Sequence, residues 1–305
     1  MRWSRWGRSS YERDEDLAAE RQAMAEIVEV LAPNQDAEVL SVPSKHKVDA
    51  AFLARVPSAR LVITTTSGYD HFDIEQMKLK EIWGGRLPEA RRDAVVDTAL
   101  AMLLGGLRGL GPLRAAAAEG RWTRGALRDF GLRGVAGRPV GVVGLGVIGR
   151  QMARVLHALG AEVWGVDPAG VPEGVRAAPL VELFERCDAV TLHCGLSAES
   201  RGMVDAALLA RARPDLVLVN TARGKLMDVD AAVEALRAGR LGALGVDVFP
   251  DEPYANLTLV QDLPGLVLTP HAAGWHLDLA ARLREGLARS VQTWLQTGVL
   301  PHRVC

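Results

Sequence analysis

Three glycines with the spacing of a phosphate-binding turn are the first residues whose pattern implies chemistry. Gly144, Gly146 and Gly149 form the pattern GxGxxG. This pattern stands directly after an apolar run and directly before a helical stretch. In such a turn the first glycine permits a tight bend, the second lets the backbone approach a pyrophosphate, and the third lets helix and strand pack closely. The amides of Val147 and Ile148 would then face the phosphates at the start of the helix.

An acidic residue follows where a dinucleotide site needs one. The run Val163–Val166 is typical of a second strand, and Asp167 ends it 18 residues beyond Gly149. A carboxylate in this place accepts hydrogen bonds from the ribose hydroxyls, whereas it repels the 2'-phosphate of NADP. Neither Pro168 nor Ala169 brings a compensating cation. The sequence therefore predicts NAD as the cofactor.

Three further segments with reactive side chains stand at the ends of later apolar runs. They read VNTARG at 219–224, GVDVFPDEP at 245–253 and LTPHAAG at 268–274. Open parallel sheets bind their ligands outside the carboxyl ends of their strands. We therefore expect the polar side chains of these segments to lie close to the cofactor.

Together with the glycine turn, these segments resemble the D-isomer-specific 2-hydroxyacid dehydrogenases. The resemblance extends from about Asp36 to about Leu295. It implies that Arg223, Glu252 and His271 are the working residues. It also implies an NAD-dependent enzyme that moves a hydride between nicotinamide and the 2-position of a small 2-keto or D-2-hydroxy acid.

The chemistry of such a reaction calls for the same three residue types. A planar guanidinium, as in Arg223, holds a carboxylate and polarises a neighbouring carbonyl through paired hydrogen bonds. When C2 is reduced, its oxygen needs a proton, which a protonated imidazole donates. A carboxylate beside the ring fixes its orientation and stabilises the protonated form. We therefore expect His271 to act as the acid and base, paired with Glu252.

The resemblance also assigns the surroundings of the reaction. Asp247 would contact the nicotinamide carboxamide, and Arg223 and His271 would border the cofactor as well as the substrate. The other expected cofactor contacts are Cys194, Gly195, Ser200, Thr221, Ala222, Ala273 and Gly274. A glycine turn ahead of these would receive the substrate carboxylate, with the residues Ser67, Gly68 and Tyr69 and a nearby loop lysine, Lys45.

Trp275 directly follows the glycine of the histidine segment and is bulkier than the family's usual small residue. Two roles are open. Its indole either borders the substrate pocket, which would favour compact keto acids, or anchors the helix that begins near Leu277.

The elements that must position these residues form two α/β units. From Pro139 onward, apolar runs alternate with helical segments, which predicts a doubly wound parallel Rossmann-type sheet. The runs are 140–143, 163–166, 189–192, 216–219, 243–246 and 266–268. We expect 93–275 to form this NAD-binding domain, and 1–92 with 276–305 to form a discontinuous substrate domain, with the active site in the cleft between them.

The substrate domain is expected to be small, flavodoxin-like and abbreviated. Apolar positions predict a helix over 14–31, and short strands are predicted at 38–42 and 60–64 with a helical turn at 49–55 between them. Ahead of the helix stands only a short tryptophan-rich tail. The family normally has a strand and a helix in this place, so a missing first strand is expected.

Composition bounds the remaining possibilities. A formal net charge of −1 gives no general attraction for nucleic acid or an anionic membrane, and 49% hydrophobic residues are enough for a packed core. The three cysteines lack metal-site or disulfide spacing, which favours a reducing compartment, the cytoplasm. The basic start lacks the apolar stretch of a signal peptide. No histidine pair has the spacing and acidic company of a metal site, so we expect no metal.

A homodimer is expected, because the predicted helix 93–107 carries more apolar surface than one face can bury, and a Gly/Ala-rich connection follows it. Two other functions remain possible on the same fold. An NAD(H)-sensing regulator or corepressor would not need the Arg, Glu and His residues. A Rossmann domain for S-adenosylmethionine would need neither those residues nor Asp247.

Overall fold

The computed structural model describes residues 1–260 and 263–305 as two compact units. The first unit comprises 1–91 and 275–305, and the second comprises 92–274. Each unit contains one all-parallel sheet. The predicted α/β class with a doubly wound parallel sheet is confirmed.

The first unit is built on a five-stranded sheet with the order β2-β1-β3-β4-β5, which is the flavodoxin-like order. Its elements in chain order are β1 (Arg2–Arg5), α1 (Asp14–Ala25), β2 (Glu29–Val30), β3 (Val39–Val42), α2 (Ala50–Arg55), β4 (Leu61–Thr64), α3 (Ile74–Leu79) and β5 (Trp83–Arg86). The C-terminal helix Leu279–Thr297 also belongs to this unit. It packs with α1 over one face of the sheet, and α2 and α3 cover the other face.

The expectation of a missing first strand is wrong. Strand β1 lies inside the tryptophan-rich tail, between β2 and β3, with Trp3 fully buried. The predicted helix 14–31 is also too long, because it ends at Ala25 and the chain then forms β2, which pairs with β1. A basic strand was not recognised because its Arg5 is buried only through its ion pairs with Glu12 and Glu20.

The second unit contains a seven-stranded sheet with the order β12-β11-β10-β9-β6-β7-β8. Its strands are β6 (Pro139–Val143), β7 (Glu162–Val166), β8 (Arg176–Ala177), β9 (Ala189–Leu192), β10 (Val217–Asn220), β11 (Ala243–Val246) and β12 (Leu266–Leu268). Its helices are α4 (Glu89–Leu107, of which 92–107 lies in this unit), α5 (Leu110–Ala118), α6 (Val147–Ala158), α7 (Leu180–Arg186), α8 (Ala206–Arg211), α9 (Val229–Arg237) and α10 (Leu257–Val260). The helix Leu279–Thr297 is α11.

Both faces of this sheet are covered by helices. Apolar side chains of α4 and α6 pack on one face, and those of α7, α8 and α9 pack on the other. The strand order reverses between β6 and β9, and a crevice for a ligand is expected at such a point. Helix α4 contributes Leu103 and Leu107, at most 1% exposed, to this core, whereas its Leu100 and Leu104 are only partly buried.

No single helix among the described residues is both long and apolar enough to cross a membrane, although α4 and α5 together, bent by 65°, meet the criteria of length and composition.

Candidate active site

The glycine turn links β6 to α6 by a close backbone approach. Gly144 has φ +86°, and a Cβ on it would lie 2.5 Å from the amide nitrogen of Cys194. A Cβ on Gly149 would lie 1.9 Å from the carbonyl oxygen of Gly144, so the helix sits directly on the turn. Gly146 precedes the first helical residue and has no heavy atom within 4 Å of its ideal Cβ position. The turn therefore leaves open space at the helix N-terminus, where backbone N–H groups lack intrahelical partners.

Asp167 lies at the end of β7, beside this turn. Its Oδ2 accepts a hydrogen bond of 2.6 Å from the amide of Leu145, and its Oδ1 accepts one of 2.8 Å from the amide of Ala169. The carboxylate is therefore fixed in orientation, and each oxygen keeps further capacity to accept a ribose hydroxyl.

The turn after β10 contains a buried hydroxyl that has no hydrogen-bond partner in the described structure, Thr221 Oγ1. Asn220 braces this turn, because its Nδ2 donates to the carbonyl of Arg223 at 3.0 Å and its Oδ1 accepts from the amide of Ala222 at 3.0 Å. A bound molecule with a polar edge would satisfy the hydroxyl. The open helix N-terminus, the fixed carboxylate and this hydroxyl together fit a dinucleotide.

Arg223, Glu252 and His271 follow three strands that are neighbours in the sheet, β10, β11 and β12. His271 Nδ1 lies 2.8 Å from Glu252 Oε2, and the other oxygen of this carboxylate accepts a 3.1 Å hydrogen bond from the amide of Phe249. All three side chains line one surface depression of about 250 Å³. Since parallel strands end at one edge of the sheet, distant segments of sequence meet here.

The segment that carries Glu252 is held by aromatic stacking. The rings of Phe249 and Tyr254 stack with centroids 4.7 Å apart, and the Tyr254 hydroxyl donates a 2.6 Å hydrogen bond to Asp230 Oδ1 on α9. Burial, and then the hydrogen bond to Asp230, raise the pKa of Tyr254 to about 12, so the hydroxyl remains a donor. Tyr254 lies in a loop and was not singled out from the sequence, because its role depends on a contact with Asp230 on α9.

Asp247 organises the backbone around His271. The side chain is 1% exposed, and its Oδ1 accepts hydrogen bonds from Thr269 Oγ1 at 2.6 Å, from the amide of Ala272 at 2.8 Å and from the amide of Ala273 at 3.1 Å. Its Oδ2 also accepts from Ala273 at 3.1 Å. His271 itself has φ +55°, an unfavourable backbone conformation for a residue with a side chain. The buried carboxylate thus stabilises the turn that presents the imidazole, a role that the sequence did not reveal.

Of the cofactor contacts expected in the segment after β9, Ser200 makes its hydrogen bonds within the segment itself. Ser200 Oγ donates to the carbonyl of Gly195 at 2.9 Å and accepts from the amide of Ser197 at 2.7 Å. Burial raises the pKa of Cys194 to about 11, so its thiol stays protonated. Ala222 and Ala273 are buried, and Gly274 is partly exposed.

The expected substrate contacts Lys45, Ser67, Gly68, Tyr69 and Trp275 all belong to the first unit. Lys45 is exposed and follows β3, whereas Ser67, Gly68 and Tyr69 follow β4. The Oγ of Ser67 is buried and has no hydrogen-bond partner in the described structure. Trp275 is 53% exposed.

Arg86 at the end of β5 braces the turn after β4, and the sequence did not single it out. Its Nη1 donates to the carbonyl of Ser67 at 3.1 Å, and its guanidinium carbon lies 5.4 Å from the ring centroid of Tyr69. In the part of the chain that the structure describes, no cluster of three or more His, Cys, Asp or Glu side chains could hold a metal ion.

A dinucleotide-binding α/β protein is the class that this sheet and its glycine turn define. The family model described as D-isomer specific 2-hydroxyacid dehydrogenase, NAD binding domain, matches residues 100–273. The chain therefore belongs to the D-isomer-specific 2-hydroxyacid dehydrogenase family, as its motifs predicted, and its cofactor is NAD.

Relatives agree with this family, and a solved structure shares the fold. The D-3-phosphoglycerate dehydrogenase of Mycobacterium tuberculosis is 31% identical over 280 residues, 90% of this chain and 52% of that protein. The glyoxylate reductase of Thermococcus onnurineus is 31% identical over 266 residues, 84% of this chain and 78% of that protein. D-Lactate dehydrogenase from Aquifex aeolicus, complexed with NAD and lactic acid, shares the fold with a TM-score of 0.80 at 23% identity, covering 97% of this chain and 96% of that chain. The chain spans about half the length of the mycobacterial enzyme.

Proposed function

We propose that this protein is an NAD-dependent oxidoreductase that interconverts a small 2-keto acid and its D-2-hydroxy acid. The observation that carries the proposal is the pairing of His271 with Glu252 in the depression that Arg223 also lines. Carbonyl reduction needs three groups from a protein: a residue that acts as acid and base, a second residue that orients the first, and a cation held in place.

Bound NADH supplies the hydride that reduces C2 of the keto acid. Arg223 binds the substrate carboxylate and polarises the carbonyl, which a guanidinium does through two parallel N–H donors. His271 donates a proton to the carbonyl oxygen as it becomes a hydroxyl, and takes the proton back in the oxidation direction. Glu252 keeps the Nδ1 side of the ring engaged, so that Nε2 is the atom that exchanges the proton.

The cofactor residues are proposed as the sequence predicted them. The helix N-terminus at Val147 and Ile148 takes the pyrophosphate, and Asp167 takes the adenosine ribose. The buried hydroxyl of Thr221 and the carboxylate of Asp247 serve the nicotinamide half. The support for Thr221 is its lack of a partner, and the support for Asp247 is that its Oδ2 receives one hydrogen bond and can accept another.

The substrate contacts that the sequence predicted in the first unit are proposed as they were predicted. The backbone of the turn at Ser67 and Gly68 receives the substrate carboxylate, beside Tyr69, and Lys45 adds a positive charge. The partnerless hydroxyl of Ser67 supports this role. Trp275 is proposed to narrow the pocket, and its exposed fraction of 53% argues against a purely anchoring role. If Trp275 is a pocket wall, Trp275→Ala improves long 2-keto acids relative to short ones; a parallel loss of all activities would refute that role.

The proposal is tested by following NADH oxidation with a panel of 2-keto acids. His271→Ala is expected to lower kcat by about 10²–10⁴-fold, the range of a general acid, while the Kd of NADH stays nearly unchanged. His157→Ala, an exposed histidine on α6, is the matched control and should keep full activity. Tight NADH binding by the wild type without turnover of any 2-keto acid would replace this proposal by the NAD(H)-sensing regulator.

A further inference from the structure

We infer that Lys225 is a second anion-binding residue of this site and that the preferred substrate is a 2-keto acid with a second acidic group at its far end. The inference rests on the proposed function. Lys225 lies two residues beyond Arg223 and lines the same depression of about 250 Å³, together with His271. It plays no part in the proposed chemical step.

The turn that carries Arg223 and Lys225 is rigid. Gly224 packs so closely that a Cβ on it would lie 1.9 Å from the carbonyl carbon of Phe249. The carbonyl of Lys225 accepts a 2.9 Å hydrogen bond from the amide of Gly202, and the carbonyl of Arg223 accepts one from Asn220. Both cationic side chains therefore extend toward one cavity from a backbone that is held in place. Little backbone conformational entropy is lost when an anion binds there.

When His271 carries the proton that the proposed reduction needs, the depression holds three cationic groups and one carboxylate, so its charge exceeds what a single substrate carboxylate would neutralise. Among the described residues that line it, Arg223 and Lys225 are cationic, and Glu252 is the carboxylate, which is already paired with His271. A substrate with one carboxylate engages Arg223 and leaves the ammonium of Lys225 facing solvent. A second acidic group at the far end of the substrate would engage that ammonium as well.

The remaining lining suits the chain between two acidic groups. Its apolar members are Leu196, Val248, Phe249 and Pro250. These side chains favour methylene groups, and the volume is below the usual range of pockets for drug-sized ligands. The lining therefore suits a short substrate that has an acidic group at each end and an apolar chain between them.

The test compares substrates that differ only in their distal group. One pair is 2-ketoglutarate and its uncharged distal amide, 2-ketoglutaramate, and the other is hydroxypyruvate phosphate and hydroxypyruvate. Lys225→Met should lower kcat/KM about fivefold for the acid-ended member and leave the neutral member unchanged; this change corresponds to about 1 kcal/mol, the upper end for an exposed ion pair. Lys225→Arg should retain most of the preference. The two pairs separate a distal carboxylate from a distal phosphate.

Lys80→Met, which removes an exposed lysine at the end of α3, is the control and should leave every ratio unchanged. Equal effects of Lys225→Met on both members of each pair, or no effect on either, overturn the inference while the reductase activity stands. If the wild type reduces no 2-keto acid, the proposed function fails. Calorimetry with D-malate and D-2-hydroxybutyrate then decides the role of Lys225, since only binding of the diacid should weaken in Lys225→Met.

Discussion

Asp247→Asn tests whether the buried carboxylate holds His271 in place. The substitution keeps the shape of the side chain but removes the charge that receives four hydrogen-bond contacts from Thr269, Ala272 and Ala273. It also places an N–H donor against the amide of Ala273, unless the side chain turns over. In either orientation the turn that presents His271 at φ +55° loses part of its support.

The expected loss can be worked from these contacts. A hydrogen bond to a charged acceptor contributes about 1 kcal/mol more than one to a neutral acceptor, so the three donors together lose about 3 kcal/mol. Burying a neutral asparagine side chain costs less free energy than burying a carboxylate, and this difference offsets roughly 1 kcal/mol of the loss. A net destabilisation of about 2 kcal/mol would lower the Tm of a unit of this size by roughly 4–8 °C.

Urea unfolding without cofactor measures this bracing apart from any contact with nicotinamide. Steady-state kinetics should show a fall in kcat of about 10–10²-fold, because a small misplacement of a proton donor costs this much. Thr269→Val is the matched control, since it removes one donor and keeps both backbone amides on the carboxylate. It should destabilise by less and leave kcat close to that of the wild type. An Asp247→Asn variant with unchanged stability and unchanged kcat would refute the reasoning.

Four further outcomes are expected. Arg223→Lys should lower kcat/KM for keto acids about 10²-fold with an unchanged KM for NADH, because an ammonium lacks the paired donors; equal kinetics would show that paired geometry is irrelevant. NAD should be strongly preferred over NADP, and Asp167→Ser should narrow the ratio of their kcat/KM values; a wild type that uses both equally contradicts the ribose contact. Burial lowers the pKa of His193 to about 4. As the pH falls, its imidazole therefore becomes protonated in the unfolded chain before it does in the folded protein. The free energy of unfolding should therefore decrease as the pH falls from about 6.5 to about 4. Urea titrations of His193→Gln should show a smaller decrease over the same range. The protein should be a homodimer by light scattering, and Trp122→Glu should dissociate it, since Trp122 is 89% exposed beyond α5; an unaffected dimer would place the interface elsewhere.

The parts of the fold that were predicted well are those where burial leaves a local signature. Strands buried on both faces read as continuous apolar runs, so Ala189–Leu192 and Ala243–Val246 were predicted with their observed bounds. The edge strand Leu266–Leu268 is only partly buried, but its three apolar residues gave the same signal. The glycine turn was equally visible, because only glycine tolerates φ +86° at residue 144 and the close approach at Gly149. These features depend on neighbours in sequence.

Strand β1 and the support of the active site were decided by residues far apart in the chain. A strand that reads RWSR shows no apolar pattern, and it becomes buried only when Glu12 and Glu20 from the following segment neutralise Arg5. In the same way, the sequence predicts His271 and Glu252 as a pair but not the bracing of their turns by Asp247 and Tyr254. The amino-acid sequence alone determined which groups take part in the chemistry, since their types and order are local. Tertiary structure decided how firmly each is held, because hydrogen bonds to a buried carboxylate or between a loop and a distant helix exist only after the chain has packed.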